Sequence, residues 1–283
     1  MEDDRVLWMS ICEDDRERGK NDESVLDNFI ISMRFFIWTI LLLLPLTTSA
    51  YSLITKKVDG HMVRIFHIPR TDDTHVTAVA SERGTTLWAL IDRVWWYAGI
   101  NGAYFSPKDY TGLPDATTTI RIMDGDGEKY SNYFPDTGIN GIFGFLPDGT
   151  PLLVAYNIYW EKTLRDNYNS GRILELQSGI ANFPILLASG VNLVPRYDAV
   201  GLITAKMKVK GTKSFICRTA TDDVKMGTIG SISMLDMPRF IQRFGCIDAI
   251  NLDNGGSLAM YDERKYIVGP GRNIMDSFVI VKK

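Results

Sequence analysis

The feature that most constrains the fold is a short apolar run near the C-terminus that stops abruptly at a carboxylate. The apolar residues of 249–252 have the length of a buried strand, and Asp253 ends the run. Residues 254–257, Asn-Gly-Gly-Ser, predict a tight turn, because glycine allows backbone conformations that a Cβ would forbid. Successive N–H groups in such a turn can point at one anion. The stretch therefore predicts either a plain strand-to-turn connection or a carboxylate beside an oxyanion or phosphate site.

The first 50 residues differ in character from the rest. Residues 1–32 carry ten acidic and four basic side chains and no sustained apolar period. Residues 33–50 have the form of a signal peptide, with Arg34, an apolar core and small residues ending in Thr-Ser-Ala. A retained membrane anchor is the weaker alternative, because spanning a bilayer takes about 20 apolar residues.

We therefore predict three regions. Residues 1–32 are an acidic extension, with Met33 as a candidate true start, and residues 33–50 are a signal peptide. Residues 51–283 form a single domain that is secreted, or that lies in the periplasm or cell envelope, with no stable membrane span after cleavage. This mature chain is nearly neutral, which gives no indication of nucleic acid or an anionic membrane surface as a partner.

Cysteine and histidine usage gives no support for a metal site. Cys217 and Cys246 each flank an apolar run, where free cysteine packs as a small hydrophobe, so we expect them to be unpaired. They lack Cys-x-x-Cys spacing, and the three histidines, at positions 61, 67 and 75, fit no helix-borne metal motif. The chain also has no phosphate loop of the nucleotide-binding type. We predict neither a metal nor a cofactor.

The pattern from residue 51 onwards is mostly short strands, which predicts an α+β domain of strand-rich, mixed sheets with a few helices. We expect residues 191–213 to form a mobile, moderately basic loop. The predicted helices are 85–97, with Thr85 or Thr86 as the cap, 159–168, and the segment from Asp236 to Phe244; the predicted strands are 63–68, 76–80, 98–105, 120–123, 141–146, 152–156, 181–187, 214–218, 227–234, 249–252, 266–268 and 277–281.

Polar side chains end three of these apolar runs. Asn101, Arg218 with Thr219, and Asp253 would form a cleft if the three strand tips met at one edge of a sheet. A carboxylate, a guanidinium and an amide suit a substrate with both hydroxyl groups and an anion, since arginine binds phosphate bidentately. Taken singly, Arg218 would be a surface salt bridge and Asn101 a turn residue.

Three blocks, in order, resemble the signature segments of the phosphodiester glycosidase family: residues 100–105, 218–220 and 251–257. Residues 183–190 and 271–272 are similar to further segments, and the resemblance covers about residues 75–283. The family usually has glycine where Ala103 and Asn254 stand, although asparagine can adopt a left-handed conformation. The resemblance implies hydrolysis of a sugar-1-phosphodiester bond at the anomeric carbon, in a glycan or in a cell-envelope polymer such as an exopolysaccharide.

This resemblance and the strand-tip argument together define the candidate site. We predict Asp253 and Arg218 as catalytic residues, with Arg218 on the phosphate. The alternatives are a non-catalytic glycan-binding or envelope-assembly protein of the same fold, and a metal-dependent phosphodiesterase. The predicted substrate-binding residues are Asn101, Gly102, Thr219, Asn254, Gly255, Gly256 and Ser257.

Overall fold

A computed structural model of the 283-residue chain describes residues 51–71, 73–94, 98–104, 122–124, 127–130, 141–155 and 176–282. These residues belong to one compact unit, Ala50–Lys283. The strands are β1 (Ser52–Val58), β2 (His61–Ile68), β3 (Thr74–Thr85), β4 (Ala98–Asn101), β5 (Ile122–Asp124), β6 (Gly127–Tyr130), β7 (Gly141–Phe145), β8 (Pro151–Ala155), β9 (Ser178–Asn182), β10 (Ile185–Ala188), β11 (Val191–Asn192), β12 (Gly211–Thr219), β13 (Val224–Ile232), β14 (Cys246–Asn251), β15 (Met260–Asp262), β16 (Lys265–Val268) and β17 (Ile274–Lys282).

The strands form three antiparallel sheets. Sheet A has the order β1-β2-β13-β12-β14-β10-β11, sheet B the order β16-β15-β4-β17-β3, and sheet C the order β6-β5-β9-β7-β8. Several neighbours are far apart in sequence: β17 pairs with β3 and places Val281 opposite His75. Strands that are distant in sequence therefore pair within the same sheet, and these pairings connect the two ends of the domain.

The helices are short, and the described part of the chain is mostly β. They are α1 (Leu87–Asp92), α2 (Val194–Ala199), α3 (Ala205–Lys208) and α4 (Met237–Gln242), with a 3₁₀ turn at Gly255–Ser257. The predicted α+β label is thus only loosely supported, since no helix in the described ranges exceeds two turns. The Thr86 hydroxyl caps α1 by accepting from the Ala89 N–H, as one of the two predicted caps would.

Two local predictions need correction. Residues 191–213 are not a simple loop, because β11, α2, α3 and the start of β12 lie there. Asp236 occupies the position before α4 but makes no side-chain cap, and its carboxylate accepts instead from the Ser233 hydroxyl. The helix predicted over 159–168 and the regions predicted over 1–50 lie outside the described residues.

One large apolar core joins the sheets. Phe278 of sheet B packs edge-on against Phe143 and Phe145 of sheet C, with ring centroids 6.2 and 6.1 Å apart. All three rings are almost completely buried. These contacts pack sheet B against sheet C.

The cysteines are paired, contrary to the sequence-based expectation. Cys217 in β12 and Cys246 in β14 form a disulfide with a Cα–Cα distance of 5.7 Å. The apolar surroundings are as predicted, since both residues are buried. However, local sequence gives no information on the pairing of β12 with β14, which brings the two thiols together.

Within the described ranges, no helix is both long and apolar enough to cross a bilayer.

Candidate active site

Three buried asparagines, each from a different sheet, surround the junction at which the candidate site lies. Asn251 ends β14 in sheet A, Asn101 ends β4 in sheet B, and Asn182 ends β9 in sheet C. Asn182 Nδ2 donates to the Asn251 carbonyl at 2.8 Å. Asn101 Nδ2 donates to the carbonyl of Asp253 at 2.8 Å, and Asn101 Oδ1 accepts from the Ala259 N–H at 3.0 Å. Buried amides of this kind must be paired, so they fix the relative positions of the strand ends.

Asp253 lies two residues beyond the end of β14 and is only 5% exposed. Its N–H donates to the Gly102 carbonyl at 2.8 Å, and its Oδ1 accepts from the Asn254 N–H at 2.7 Å. Oδ2 has no hydrogen bond, and the nearest cation is Arg272, whose Nη2 lies 3.6 Å away. Burial raises the pKa of the Asp253 carboxyl above its ordinary value of 3.8, while Ser257, the Asn254 N–H and Arg272 oppose this shift.

Asn101 and Gly102 support the loop of Asp253 and do not line the cleft described below. Asn101 is fully buried, and both ends of its amide bind backbone. A Cβ on Gly102 would lie 2.2 Å from Oδ1 of Asp276, so only glycine fits there. The same Oδ1 accepts from the Ala103 N–H at 2.7 Å. These two residues were predicted to bind substrate, and the structure places them behind the carboxylate.

Asn254 and the glycines form the turn that follows Asp253. Asn254 is extended, with φ −122°, so it does not use the left-handed conformation that is open to asparagine; Gly255 adopts that conformation, with φ +65°. The Asn254 side chain accepts from the Ser214 N–H at 2.8 Å and donates to the Tyr104 hydroxyl at 3.2 Å. Its backbone N–H is bound to Asp253, so this N–H is not available to an anion, unlike in the predicted phosphate cradle.

Ser257 is fully buried and holds an arginine that the sequence analysis left without a role. Arg272 Nε donates to Ser257 Oγ at 2.8 Å, and the Arg272 N–H donates to the Gly256 carbonyl at 2.7 Å. Ser257 therefore positions Arg272 beside Asp253 and does not itself face a ligand.

A cleft of about 690 Å³ opens in front of Asp253. Tyr104, Lys213 and Arg272 contribute to its walls, and Lys213 is only 8% exposed. The Tyr104 hydroxyl accepts from Nδ2 of Asn251 at 2.7 Å, and burial raises the pKa of Tyr104 to about 12, so the hydroxyl is neutral and keeps its proton. The described lining residues are Tyr104, Thr204, Lys206, Met207, Val209, Lys210, Gly211, Thr212, Lys213, Asp253, Asn254, Gly255, Gly256 and Arg272.

Arg218 and Thr219 do not belong to this cleft, so the expected convergence of three strand tips is wrong. Arg218 lies opposite Asp248 in the β12–β14 register. Asp253 lies five residues further along the chain, about 16 Å at 3.3 Å per residue. Arg218 Nε donates to Asp248 at 2.6 Å and Nη1 to Asp222 at 2.9 Å. The structure thus favours the ion-pair interpretation of Arg218, with Asp248 buried beneath it, and the Thr219 hydroxyl contacts Thr221 at 2.9 Å.

Sequence reasoning missed Tyr104, Lys213 and Arg272 as residues of the cleft. Tyr104 and Arg272 lie within segments already recognised as family-like. Lys213 is the last residue of the segment 191–213 that was predicted to be a basic loop, and in the structure it lies in β12. Those signals were present, but only the fold shows which side chains face the cleft. The described residues contain no group of three or more His, Cys, Asp or Glu side chains placed to hold a metal ion.

The described domain is mostly β and carries a buried carboxylate, Asp253, where the strand ends of three sheets meet. The chain belongs to the phosphodiester glycosidase family, whose sequence model matches residues 96–281. Membership supports a glycosidase-type hydrolytic function.

Solved structures of similar fold include the zebrafish N-acetylglucosamine-1-phosphodiester alpha-N-acetylglucosaminidase catalytic domain, auto-inhibited by its pro-peptide. It shares 14% sequence identity, with 82% of each chain covered and a TM-score of 0.61. A hypothetical protein from Synechocystis shares 10% identity over 82% of this chain and 62% of that chain, with a TM-score of 0.55. At such identities the likeness shows the fold alone.

A curated relative, Dictomallein-4 of Dictyostelium discoideum, is 31% identical over 99 residues. These residues make up 35% of this chain but 16% of Dictomallein-4, so the match spans a small part of that protein.

Proposed function

We propose that this protein is an exported glycosidase that hydrolyses the bond between the anomeric carbon of a sugar and a phosphodiester oxygen. The observation that carries the proposal is Asp253, a nearly buried carboxylate beside Arg272, at a basic cleft in a member of this family. The solved zebrafish relative is by name a phosphodiester glycosidase, which supports the same substrate class. We place the substrate in a glycan or a cell-envelope polymer such as an exopolysaccharide.

The leaving group decides which catalytic groups the reaction needs. In the proposed step water adds a hydroxyl group to the anomeric carbon, the C–O bond breaks, and its electron pair leaves with the phosphate monoester, which takes up the proton. A phosphate is already a stabilised anion, so it needs less help from a general acid than an alcohol would. What the site must supply is stabilisation of positive charge at the sugar and of negative charge at the phosphate.

Asp253 can stabilise the positive charge that develops at the sugar. Its carboxylate lines the cleft, with Oδ1 held by the Asn254 N–H and Oδ2 beside Arg272. A carboxylate there can stabilise an oxocarbenium-like centre, activate a water or attack the sugar directly. Arg272, 3.6 Å from Oδ2, favours the ionised form that all three roles require.

Lys213 and Tyr104 can stabilise the negative charge at the phosphate. Lys213 is a nearly buried cation on the wall of the same cleft. Tyr104 accepts two amide N–H groups through its oxygen and retains its own proton as a donor for a phosphate or sugar oxygen. In this proposal they replace Arg218, whose guanidinium is occupied by Asp248 and Asp222.

Hydrolysis of a panel of sugar-1-phosphodiesters in ¹⁸O-labelled water tests the proposal. We expect the label on the sugar and none on the phosphate. Asp253→Asn should lower kcat by at least about 1,000-fold with little change in binding, as for a group that acts in the transition state. The matched control is Asp262→Asn, which should keep most of the activity. Asp262 is a buried carboxylate in sheet B that accepts a hydrogen bond from the Tyr51 hydroxyl.

Two outcomes would overturn the proposal. Label on the phosphate, with activity lost on adding a chelator, would mean a metal-dependent phosphodiesterase. Glycan binding without turnover, unchanged in Asp253→Asn, would mean a non-catalytic glycan-binding protein.

A further inference from the structure

The cleft carries more positive charge than one phosphodiester requires. Four of its described lining residues are cationic: Lys206, Lys210, Lys213 and Arg272. Asp253 is the one carboxylate among those described lining residues. A phosphodiester carries a single negative charge, which Lys213 alone can match. Lys206 and Lys210 are therefore in excess of what the bond to be broken demands.

These lysines are not neutralised by neighbouring carboxylates within the described part of the chain. Lys213 is more than nine-tenths buried, and the groups that shift its pKa include no described carboxylate. Its pKa is lowered, first by burial and second by the positive charge of Lys206, which places the two cations within electrostatic reach of each other. Holding like charges together is unfavourable unless an anion joins them.

Lys208, in the same segment, differs because it forms an ion pair with a carboxylate. Its Nζ lies 2.6 Å from Oδ1 of Asp198, and it does not line the cleft. Of the three lysines in segment 204–210, Lys208 is therefore paired outside the cleft, whereas Lys206 and Lys210 line it.

The segment is also fixed in place. Met207 packs against the main core, and its carbonyl accepts from the Met234 N–H at 3.2 Å. The Thr204 hydroxyl accepts from the Met207 N–H at 3.4 Å. Lys206 and Lys210 thus project from an anchored turn, which reduces the entropy lost when they bind an anion.

We propose that Lys206 and Lys210, next to Lys213, form a subsite for a second anionic group on the departing half of the substrate. This inference rests on the proposed function and narrows its substrate class: the group released from the sugar is a phosphate-bearing chain with at least one negative charge beyond the scissile diester. Lys213 meets the phosphate at the bond that breaks, and the two exposed lysines meet the next phosphate outward.

Binding of inorganic phosphate, pyrophosphate and tripolyphosphate, measured by calorimetry in the presence of EDTA, tests the subsite without any turnover. Wild-type protein should bind tripolyphosphate at least about tenfold more tightly than phosphate, with a difference that shrinks at high salt. Lys206→Gln/Lys210→Gln should lose about five- to tenfold for tripolyphosphate, since each exposed charge contributes modestly. The same double variant should stay within about twofold for phosphate, because Lys213 remains.

Lys208→Gln is the control, since it removes a positive charge from the same segment outside the cleft. Equal affinity for phosphate and tripolyphosphate, or an equal loss in Lys208→Gln and the double variant, would overturn the subsite.

Hydrolysis separates this inference from the proposed function. If sugar-1-phosphodiesters are cleaved but an additional phosphate on the leaving group gives no gain in kcat/KM, the subsite is wrong and the glycosidase activity stands. If oligophosphates bind through Lys206 and Lys210 but no sugar phosphodiester is cleaved, the subsite stands and the proposed function is wrong.

Discussion

At the residue scale, Asp253 is held in an environment that disfavours its charge. Its carboxylate is 5% exposed, and one oxygen lacks a hydrogen bond. Arg272, 3.6 Å from Oδ2, only partly offsets the cost of burying this charge. Perturbed groups of this kind cluster at functional sites, because catalysis needs reactive groups that the fold alone would not select.

The first prediction concerns the pH dependence of stability. Because burial raises the pKa of Asp253 in the folded protein above 3.8, the folded state binds its proton more tightly than the unfolded state. The stabilising contribution is thus fully present below 3.8 and is lost as the pH rises through the raised pKa. Relative to Asp253→Asn, wild-type Tm should therefore fall as the pH increases over this window, and the difference should then level off.

Thermal unfolding of both proteins between about pH 3 and pH 8 measures this difference. A difference that grew in favour of wild type with rising pH would mean that Arg272 outweighs burial. In that case the carboxylate would be a stabilising ion-pair member.

At this scale, the sequence predicted the features that depend on local backbone structure. It placed Asp253 at the end of a buried strand and before a glycine turn, and both features are present. It misplaced Asn101, because the partners of a buried amide depend on which distant backbone groups the fold brings near it. Asp253 and Ala259 are more than 150 residues away along the chain.

At the scale of elements, the β12–β14 pair explains why Arg218 and Asp253 are apart. The two strands are antiparallel, so the residues that end them lie at opposite ends of the pair. Convergence of these tips would have required parallel strands. Apolar runs in the sequence located both strands, but they gave no information on direction or neighbours.

The second prediction follows from this arrangement. Arg218→Gln should lower the free energy of unfolding by about 2 kcal/mol or more, because it leaves the buried Asp248 carboxylate without its cation. The loss should fall short of the full cost of breaking a buried pair, since the Arg218 side chain is 25% exposed. KM and kcat per folded molecule should remain within about twofold of wild type.

Arg70→Gln provides the matched control. Arg70 also pairs with Asp222, but its side chain is 45% exposed, so its removal should cost no more than about 0.5 kcal/mol. A raised KM with unchanged stability in Arg218→Gln would show that Arg218 serves the substrate after all.

At the scale of the whole molecule, the domain is tied together from residue 51 onwards. The Tyr51 hydroxyl donates to Oδ1 of Asp262 in sheet B at 2.6 Å, and its ring packs edge-on against Phe66 of sheet A at 5.6 Å. β1 begins at the next residue and pairs with β2 along its full length. Cleavage just before Tyr51 would therefore leave every one of these contacts intact, whereas cleavage beyond β1 would remove an edge strand of sheet A.

The disulfide adds a separate argument for the compartment. Buried disulfides persist in oxidising environments and are rare in the cytosol. Cys217 and Cys246 close a loop with a sequence separation of 29 residues, for which the chain-entropy relation gives a stabilisation of about 3–4 kcal/mol. An exported domain would retain this stabilisation, and a cytosolic one would lose it.

The last prediction is that the mature protein is exported and begins at or close to Tyr51. It rests on the signal-like composition of residues 33–50, on the contacts that begin at Tyr51 and on the disulfide. N-terminal sequencing and intact-mass analysis of the secreted protein should give a chain from about residue 51 that is lighter by two hydrogens than its fully reduced form. Replacing Leu42 and Leu43 with aspartate should abolish export, because charges in the apolar core prevent its recognition as a signal. A secreted chain that still carried residues 1–32 would contradict the predicted start of the mature protein. A reduced protein confined to the cytosol would contradict export and would favour an intracellular substrate.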